Sequence, residues 1–457
     1  MRVEQMTFHS NKSFWLDDAG AYTPNPPLQG DLRIDVLVVG GGIAGLSTAW
    51  HLAAGQAAAS VAVIESEIVG FGASGRSGGW VMTQFGLDQL AVRRKYGKEK
   101  SVAALSYCRQ AVDYTRRIIE QHALASEYRH PGVMRVAFDA RWVARLERLM
   151  ALYSDFGMTD TRWVEGRELQ AEYAGNPHFH AAIFEPNMGM LHPVKHVREL
   201  KRLAEQAGAR IYEQTPAIYL ERCHGGVVVA TPRGKIYAKR LVLATNAYTH
   251  LLQGPIADTL RRRQAPMIAR TAVTERLTAQ QWSEVGWQRG NAIESTLELF
   301  HWMSPTLDGR IQYYWIYHGG YTRHGEMEPL LSAQGATEST AHLKRIFPAL
   351  RDVRMAQTWG GHFSATRDLV PHLGYVGDER VIYMAGCWGH GNAISHLHGK
   401  TIADMVQGRS SDLTAFWVVD RKPQNWPASP FDYLGKAALW SASKRRVDRA
   451  IRGSIFD

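Results

Sequence analysis

Cysteine is scarce in this chain, with three residues, Cys108, Cys223 and Cys387, in a length of 457. They are far apart and form no C-x-x-C, so neither a disulfide framework nor a thiolate metal site is expected, and a reduced cytoplasmic setting fits. Long apolar runs are missing too. No stretch approaches the roughly 18 residues that a transmembrane helix needs, and the polar start MRVEQMTFHSNKSF lacks the charged-then-apolar order of a leader. A chain without a transmembrane segment is expected. The formal net charge of +10 favours anionic partners in general. The basic residues lack the aromatic interleaving of a nucleic-acid module, so nucleic-acid binding is not expected. The basic tail, Lys436 to Arg452, reads as a solvated terminal helix, with weak membrane-surface association as its alternative. No nucleophile constellation and no metal-ligand spacing is present; His396 and His398 are two apart and point to opposite sides of a helix.

What the chain does have is concentrated between Ile34 and Gly79. Ile34, Val36, Leu37, Val38 and Val39 make a short, β-branched, almost wholly apolar run, the pattern of a strand buried on both faces. It ends at Gly40, Gly42 and Gly45, a G-x-G-x-x-G that opens a helix running to about Ala54. In such a motif the first glycine permits the tight turn, the second lets backbone approach a pyrophosphate, and the third lets helix pack on strand. Ile43 and Ala44 then lie on the phosphate side. A second apolar run, Val61 to Ile64, ends in Glu65, at the spacing of a carboxylate that accepts ribose hydroxyls, with Ser66 next to it. The motif by itself leaves FAD and NAD open. A length of 457 residues exceeds what one core usually supports, so two domains are expected.

After Glu65 comes a second glycine-rich loop, Gly70-Phe-Gly-Ala-Ser-Gly-Arg-Ser-Gly-Gly79. With it the sequence resembles the D-amino-acid-oxidase superfamily of flavoproteins, in the branch that contains glycine oxidase, sarcosine oxidase and gamma-glutamylputrescine oxidoreductase. The resemblance implies an α/β architecture: a Rossmann-like FAD-binding domain (1–90, 190–262 and 352–457) interleaved with an α+β substrate domain (91–189 and 263–351) on an antiparallel or mixed sheet. It implies FAD in place of NAD, with Gly72, Ala73, Ser74, Arg76, Ser77 and Gly78 beside the cofactor. The family order of helix, strand, hairpin and ATNA-like strand end carries Ala217, Thr245 and Asn246 over as cofactor neighbours. A tethering cysteine that some sarcosine-oxidising relatives carry is absent from His362 to Pro371, so noncovalent FAD is expected.

The rest of the chain is read from its periodicity. Tyr22-Thr-Pro-Asn-Pro-Pro-Leu28 is an extended arm; Leu87 to Ala123, Ala140 to Phe156, Met190 to Ala209 and Leu330 to Leu350 are helical. Strands are expected at Val133 to Phe138, Val227 to Thr231, Lys235 to Ala238, Arg240 to Ala247, Ala269 to Thr274, Leu297 to Trp302 and Arg310 to Tyr317, with a hairpin at Asp308-Gly309. Trp359-Gly-Gly-His is the expected crossing back to the first domain.

Near the end, Val381 to Val406 is again strand, glycine turn and helix. The positive end of that helix would favour negative charge on a reduced flavin. The family's G-x-x-G-H-G is matched by Gly386, Gly389, His390 and Gly391, and Trp388 and Asn392 flank it. Three side chains are the catalytic candidates: Arg76, His390 and Tyr317. Arg76 is an anion partner, a flavin stabiliser or a plain surface arginine; His390 is a base, a donor or a cofactor-contacting spacer. The implied activity is oxidation of an amine or N-substituted amino compound to an imine, with oxygen or a quinone-type carrier as acceptor. Rivals are an NAD-dependent dehydrogenase, a non-catalytic flavin-binding subunit and a D-amino-acid or glycine-type dehydrogenase. Asn392-Ala393 stands where sarcosine-type relatives have a carboxylate-binding lysine, and His301-Trp-Met-Ser-Pro-Thr306 lacks an arginine that relatives often place before the hairpin. Together with Trp302, Tyr313, Tyr314, Trp315, Tyr317 and Trp388, this points to a bulkier amine, with glycine and sarcosine poor substrates.

Overall fold

The structure, a computed structural model, describes residues 12–55, 59–172, 176–316, 320–321, 333–428 and 431–457. Two sheets organise it. In the first, five strands run parallel in the spatial order Asp378–Ala385, Gly234–Leu243, Leu32–Val39, Val61–Ile64, Arg210–Tyr212, and His372–Val376 closes one edge antiparallel. The burial on both faces expected of the first strand is realised: Val36 and Val38 enter the core on one side, Leu37 and Val39 the core on the other. Helices Ile43–Ala53 and Gly391–Val406 pack together over the first of these faces, with the long helix Gln89–Gln121 and helix Pro193–Gln206 beside them.

The second sheet has nine strands and is mixed. Its central path is Ala265–Thr274, Ile311–Trp315, His301–Pro305, Ala292–Ser295, Val133–Ala137, Ala181–Glu185, Arg162–Glu165. All these neighbours are antiparallel except Ala292–Ser295 with Val133–Ala137. Asp308-Gly309 makes the expected hairpin, with Gly309 at φ 83°. A separate core fills the outer face of this sheet, and the C-terminal helix Phe431–Ile451 drops Val447 and Ile451 into it.

Several boundaries differ from the sequence reading for identifiable reasons. Lys235 to Ala238 and the following run are one strand, Gly234–Leu243, because Lys239 faces solvent without breaking the alternation. The following Asn246–Leu251 is a 3-10 turn. Leu297 to Phe300 is a bend, and the strand starts at His301, whose N–H donates to Ser295 Oγ at 2.9 Å and so ties the two strands close. Trp359-Gly-Gly-His lies inside the strand Met355–Ala365, which pairs with Ala265–Thr274; the chain returns to the first sheet only at His372–Val376. The glycines there mark close approach, not a turn: a Cβ on Gly361 would stand 2.9 Å from Arg76 Cβ. Before the extended arm, Ser13 caps a short helix, Phe14–Asp18.

Candidate functional site

Between the two sheets runs a continuous cavity of about 870 Å³. One end is built by the G-x-G-x-x-G turn. Gly40 sits at φ 115° with its α-carbon against Ala244, where a Cβ would be 2.8 Å from the carbonyl oxygen. Helix Ile43–Ala53 starts at Gly42 without a side-chain cap, so its N-terminal dipole faces the cavity lining of Gly40, Gly42, Ile43 and Ala44. Gly45 stands behind this turn, outside the lining, and lets the helix rest on Gly40.

Glu65 and Ser66 line the same end. The Glu65 carboxylate accepts from the N–H of Gly41 at 2.7 Å and of Glu67 at 3.1 Å, and from Ser66 Oγ at 3.1 Å. Burial is the largest influence on its carboxyl and pushes the pKa up, against those hydrogen bonds. Ala217 lines the cavity through a loop after the short strand Arg210–Tyr212, and Thr245 and Asn246 line it after the strand Gly234–Leu243, with Asn246 beside Ser364 and Cys387.

The second glycine loop folds over the first. Ser74 Oγ accepts from the Ile43 N–H at 3.1 Å, and Gly72, Ala73, Ser74, Arg76, Ser77 and Gly78 all line the cavity. Arg76 is only 4% exposed, which removes the surface-arginine reading. Its Nε donates to the Phe71 carbonyl at 2.8 Å and Nη1 to the Gly360 carbonyl at 2.9 Å, and its guanidinium lies 4.7 Å over the Phe71 ring. Those donors hold the loop to the second sheet.

The third wall is the turn Gly386 to Asn392. Trp388, Gly389, His390, Gly391 and Asn392 line the cavity; Gly386, at φ 79° against Thr366, shapes the turn from behind. Helix Gly391–Val406 opens there with no side-chain cap, so a second helix N-terminus faces the same space. Asn392 Nδ2 donates to Ser77 Oγ at 3.1 Å and to the Trp80 carbonyl at 3.0 Å, tying this helix to the second glycine loop and the residue that follows it. Trp388 and Asn246 have φ of 54° and 46°, left-handed conformations that non-glycine residues hold only where packing enforces them. His390 is buried, its Nδ1 is 3.3 Å from Met82 Sδ, and burial lowers its pKa to about 3, so the imidazole is neutral at ordinary pH. That suits it to a neutral hydrogen-bonding and shape-setting role better than to taking a proton.

The roof is the second sheet, and most of it went unassigned in the sequence reading. Thr271, Tyr314, Trp302 and Glu294 are cross-strand partners in one row and line the cavity together, with Ala269, Ile316 and Phe300 along the same face. Strand alternation sorts the aromatic cluster. Trp302 and Tyr314 face the cavity, while Tyr313 and Trp315 face the opposite core with His301 between them. Tyr317 lies outside the described residues. Trp80, Met82, Tyr248 and His362 also line the cavity and carried no local sequence signal. Among the described residues no group of three or more potential metal ligands occurs.

The cavity fits a dinucleotide flavin in shape and chemistry. Two helix N-termini whose own N-cap residues make no side-chain cap bond face it, glycines border it where a Cβ would fill space, and a Cβ on Gly42 would lie 2.8 Å from Ser74 Oγ. Comparison with known proteins agrees. The family model described as FAD dependent oxidoreductase matches residues 35–405. Gamma-glutamylputrescine oxidoreductase of Escherichia coli K12 is 28% identical over 93% of this chain and 94% of its own length. Glycine oxidase of Bacillus licheniformis is 25% identical over 82% and 94%. The crystal structure of glycine oxidase from Geobacillus kaustophilus superposes with a TM-score of 0.70 at 20% identity, covering 86% of this chain and all of that one, which is a likeness of fold.

Proposed function

The chain belongs to the FAD-dependent oxidoreductase family, and from that premise we propose that it oxidises an amine whose substituent is larger than that of glycine or sarcosine. When bound, FAD supplies the two-electron acceptor for the C–H bond beside the amine nitrogen. The resulting imine takes up water and separates into a carbonyl compound and the released amine or ammonia. Oxygen or a quinone-type carrier is the terminal acceptor.

The observation that carries this reading is the roof. Thr271, Tyr314 and Trp302 form a mostly aromatic wall at the end of the cavity away from Glu65, and no lysine or arginine besides Arg76 lines that end among the described residues. Arg76 is anchored through Nε and Nη1 to the Phe71 and Gly360 carbonyls, which fixes its guanidinium against the loop. A small amino acid would find no obvious clamp for its carboxylate, whereas ring faces suit an alkyl or cationic amine. The residues of the two glycine loops and of the Gly386 to Asn392 turn would hold the cofactor: backbone N–H groups at the helix ends take the anionic groups, and Glu65 takes ribose hydroxyls.

The test is an anaerobic panel of amines and amino acids, following bleaching of the yellow colour. Alkyl, aryl and acyl-bearing amines should bleach it faster than glycine or sarcosine; the reverse order refutes the proposal. The reacting amine must be uncharged, and its ordinary pKa is near the value of about 10.4 for lysine. Turnover at low substrate therefore rises with pH above 7. With His390 held neutral by burial, no further inflection near pH 6.5 is expected from it, and a profile that levels off above 7 argues against both points.

Two expectations concern the cofactor. Of the three cysteines only Cys387 lines the cavity; it is partly buried, desolvation raises its pKa, and its Sγ sits 3.9 Å from Asn246 Oδ1. We expect noncovalent FAD, all of it released into the supernatant on acid precipitation, with colour retained on the pellet as the contrary result. Replacing Glu65 by Gln keeps the size but removes an ionisable acceptor, and hydrogen bonds to charged groups contribute about 1.5 to 3 kcal/mol. FAD affinity of the apoprotein should fall about tenfold or more, and an unchanged titration would show that Glu65 does not hold the ribose.

A further inference from the structure

Two carboxylates and one guanidinium meet at the edge of the cavity roof. Arg135, Glu185 and Glu294 lie on three adjacent strands, where Arg135 is the register partner of Glu294. Arg135 Nη1 bonds Glu294 Oε2, and Arg135 Nη2 is 3.7 Å from Glu185 Oε2. Thr83 Oγ1 donates to the other oxygen of Glu185, while Glu185 Oε2 has no hydrogen-bond partner. Arg109, the other cation acting on Glu185, is committed to Asp160 through two hydrogen bonds of 2.9 and 2.6 Å. The side chains of Arg135, Glu185 and Glu294 are 7%, 1% and 10% exposed.

The charges do not cancel. One buried guanidinium faces two buried carboxylates, with Arg145 acting on Glu294 only from a partly exposed position and Asp88 acting against it, and an uncompensated buried charge is strongly disfavoured. Burial raises the pKa of both carboxyls, the direction expected where one must take a proton unless a second cation arrives. Glu294 lines the cavity and Glu185 does not. The row Thr271, Tyr314, Trp302, Glu294 spans three strand spacings, about 14 Å. Glu294 closes that row as its only charged member. The other carboxylates lining the cavity, Glu65 and Glu67, are at the G-x-G-x-x-G end.

We infer that Glu294 is an anionic subsite for a second, non-reacting cationic group on the substrate, so that the preferred class is diamines and amines with a distal ammonium. This rests on the amine-oxidation reading. The reacting nitrogen is uncharged when its neighbouring C–H bond breaks, and a carboxylate contact would keep it protonated. The cation at Glu294 is therefore a different one, and the tryptophan and tyrosine rings of the row border the path between them.

The test uses the purified yellow holoenzyme and matched probes: 1,4-diaminobutane against butylamine, 1,5-diaminopentane against pentylamine, and 4-aminobutanoate, which puts a carboxylate in place of the distal ammonium. Half-saturation in anaerobic bleaching should be about tenfold lower for each diamine than for its monoamine, the size expected of a charge-assisted contact, with 4-aminobutanoate weakest. Glu294→Gln should reduce the diamine preference, read as the ratio of diamine to monoamine half-saturation, to about threefold or less, and Glu294→Asp should keep part of it. Thermal shift of the same holoenzyme by the same amines reads binding without turnover. If no amine bleaches the flavin, the amine-oxidation reading fails, and the thermal shifts still decide the subsite. Equal binding of diamine and monoamine by the wild type, or a preference unchanged in Glu294→Gln, overturns the inference; the wild-type comparison stands alone if the variants do not fold.

Discussion

Lowering the pH from 7.5 to 5 should remove on the order of 6 kcal/mol of folding stability, through histidines buried in the neutral form. Burial brings His196 and His398 to pKa values of about 3; burial, then the neighbouring Lys400 charge, brings His51 to about 4. His396 is lowered well below its ordinary value by burial and by the facing His196 ring, with 2.8 Å between their Nε2 atoms. An unfolded histidine titrates near 6.5, so below that pH the unfolded chain binds protons that the folded chain refuses. Stability is then full above about 6.5 and falls as the pH drops toward the folded values, by about 1.4 kcal/mol per unit per site. Counting the His196 and His396 pair as one site leaves three, each costing about 2 kcal/mol at pH 5; His390 and His362, also lowered by burial, add to this loss, and Glu65, Glu185 and Glu294, whose carboxyls burial raises, oppose it. Depressed carboxylates such as Asp35 and Asp378 add stability that is lost only as the pH falls below the ordinary aspartate range, outside this window. Urea midpoints at pH 7.5, 6.5, 5.5 and 5.0 should decline with a slope equivalent to about three protons near pH 5.5. A midpoint that stays level from 7 to 5 would sink the assignment.

None of those histidines announced itself in the sequence, because each owes its state to packing between segments far apart in the chain. His196 and His396 are 200 residues apart and meet only because helices Pro193–Gln206 and Gly391–Val406 flank the same helix, Ile43–Ala53. The dinucleotide end was legible for the opposite reason. Gly40, Gly42, Gly45 and Glu65 belong to one strand-turn-helix-strand unit whose chemistry is local, and the structure puts Gly40, Gly42 and Glu65 on the cavity wall with Gly45 behind them. Arg76 was visible as a charged residue in a glycine loop, but its burial depends on Gly360 and Gly361, nearly 300 residues later. The roof was legible only as composition. Which ring faces the cavity is decided by strand register, and register decides that Trp302 and Glu294 stand side by side while Tyr313 and Trp315 face away. A one-residue slip would exchange those faces.

Gly45→Ala should yield a colourless protein, with FAD affinity reduced about 100-fold or more, equivalent to about 2.7 kcal/mol. The third glycine of the motif is outside the cavity, yet a Cβ there would stand 2.0 Å from the Gly40 carbonyl oxygen and 3.3 Å from Val38 Cγ1. Neither neighbour is a flexible chain end. Gly40 is itself held at φ 115° against the Ala244 carbonyl, and Val38 is fully buried. The helix must therefore lift from the strand by about 1 Å to restore ordinary contact. That displacement moves the N–H groups at Gly42, Ile43 and Ala44 together, and hydrogen bonds weaken steeply once distance and angle are lost. The same shift breaks the 3.1 Å contact from Ile43 N–H to Ser74 Oγ, so the second glycine loop loses its hold on the first. Gly435→Ala is the matched control: Gly435 lies in the terminal helix with open space where its Cβ would be, so alanine there keeps full FAD content and, by helix propensity, adds up to about 1 kcal/mol of stability. Circular dichroism of the Gly45→Ala apoprotein separates loss of cofactor from loss of fold. A soluble Gly45→Ala protein carrying one FAD per chain at wild-type affinity would mean that the helix does not rest on the Gly40 turn as the cradle requires.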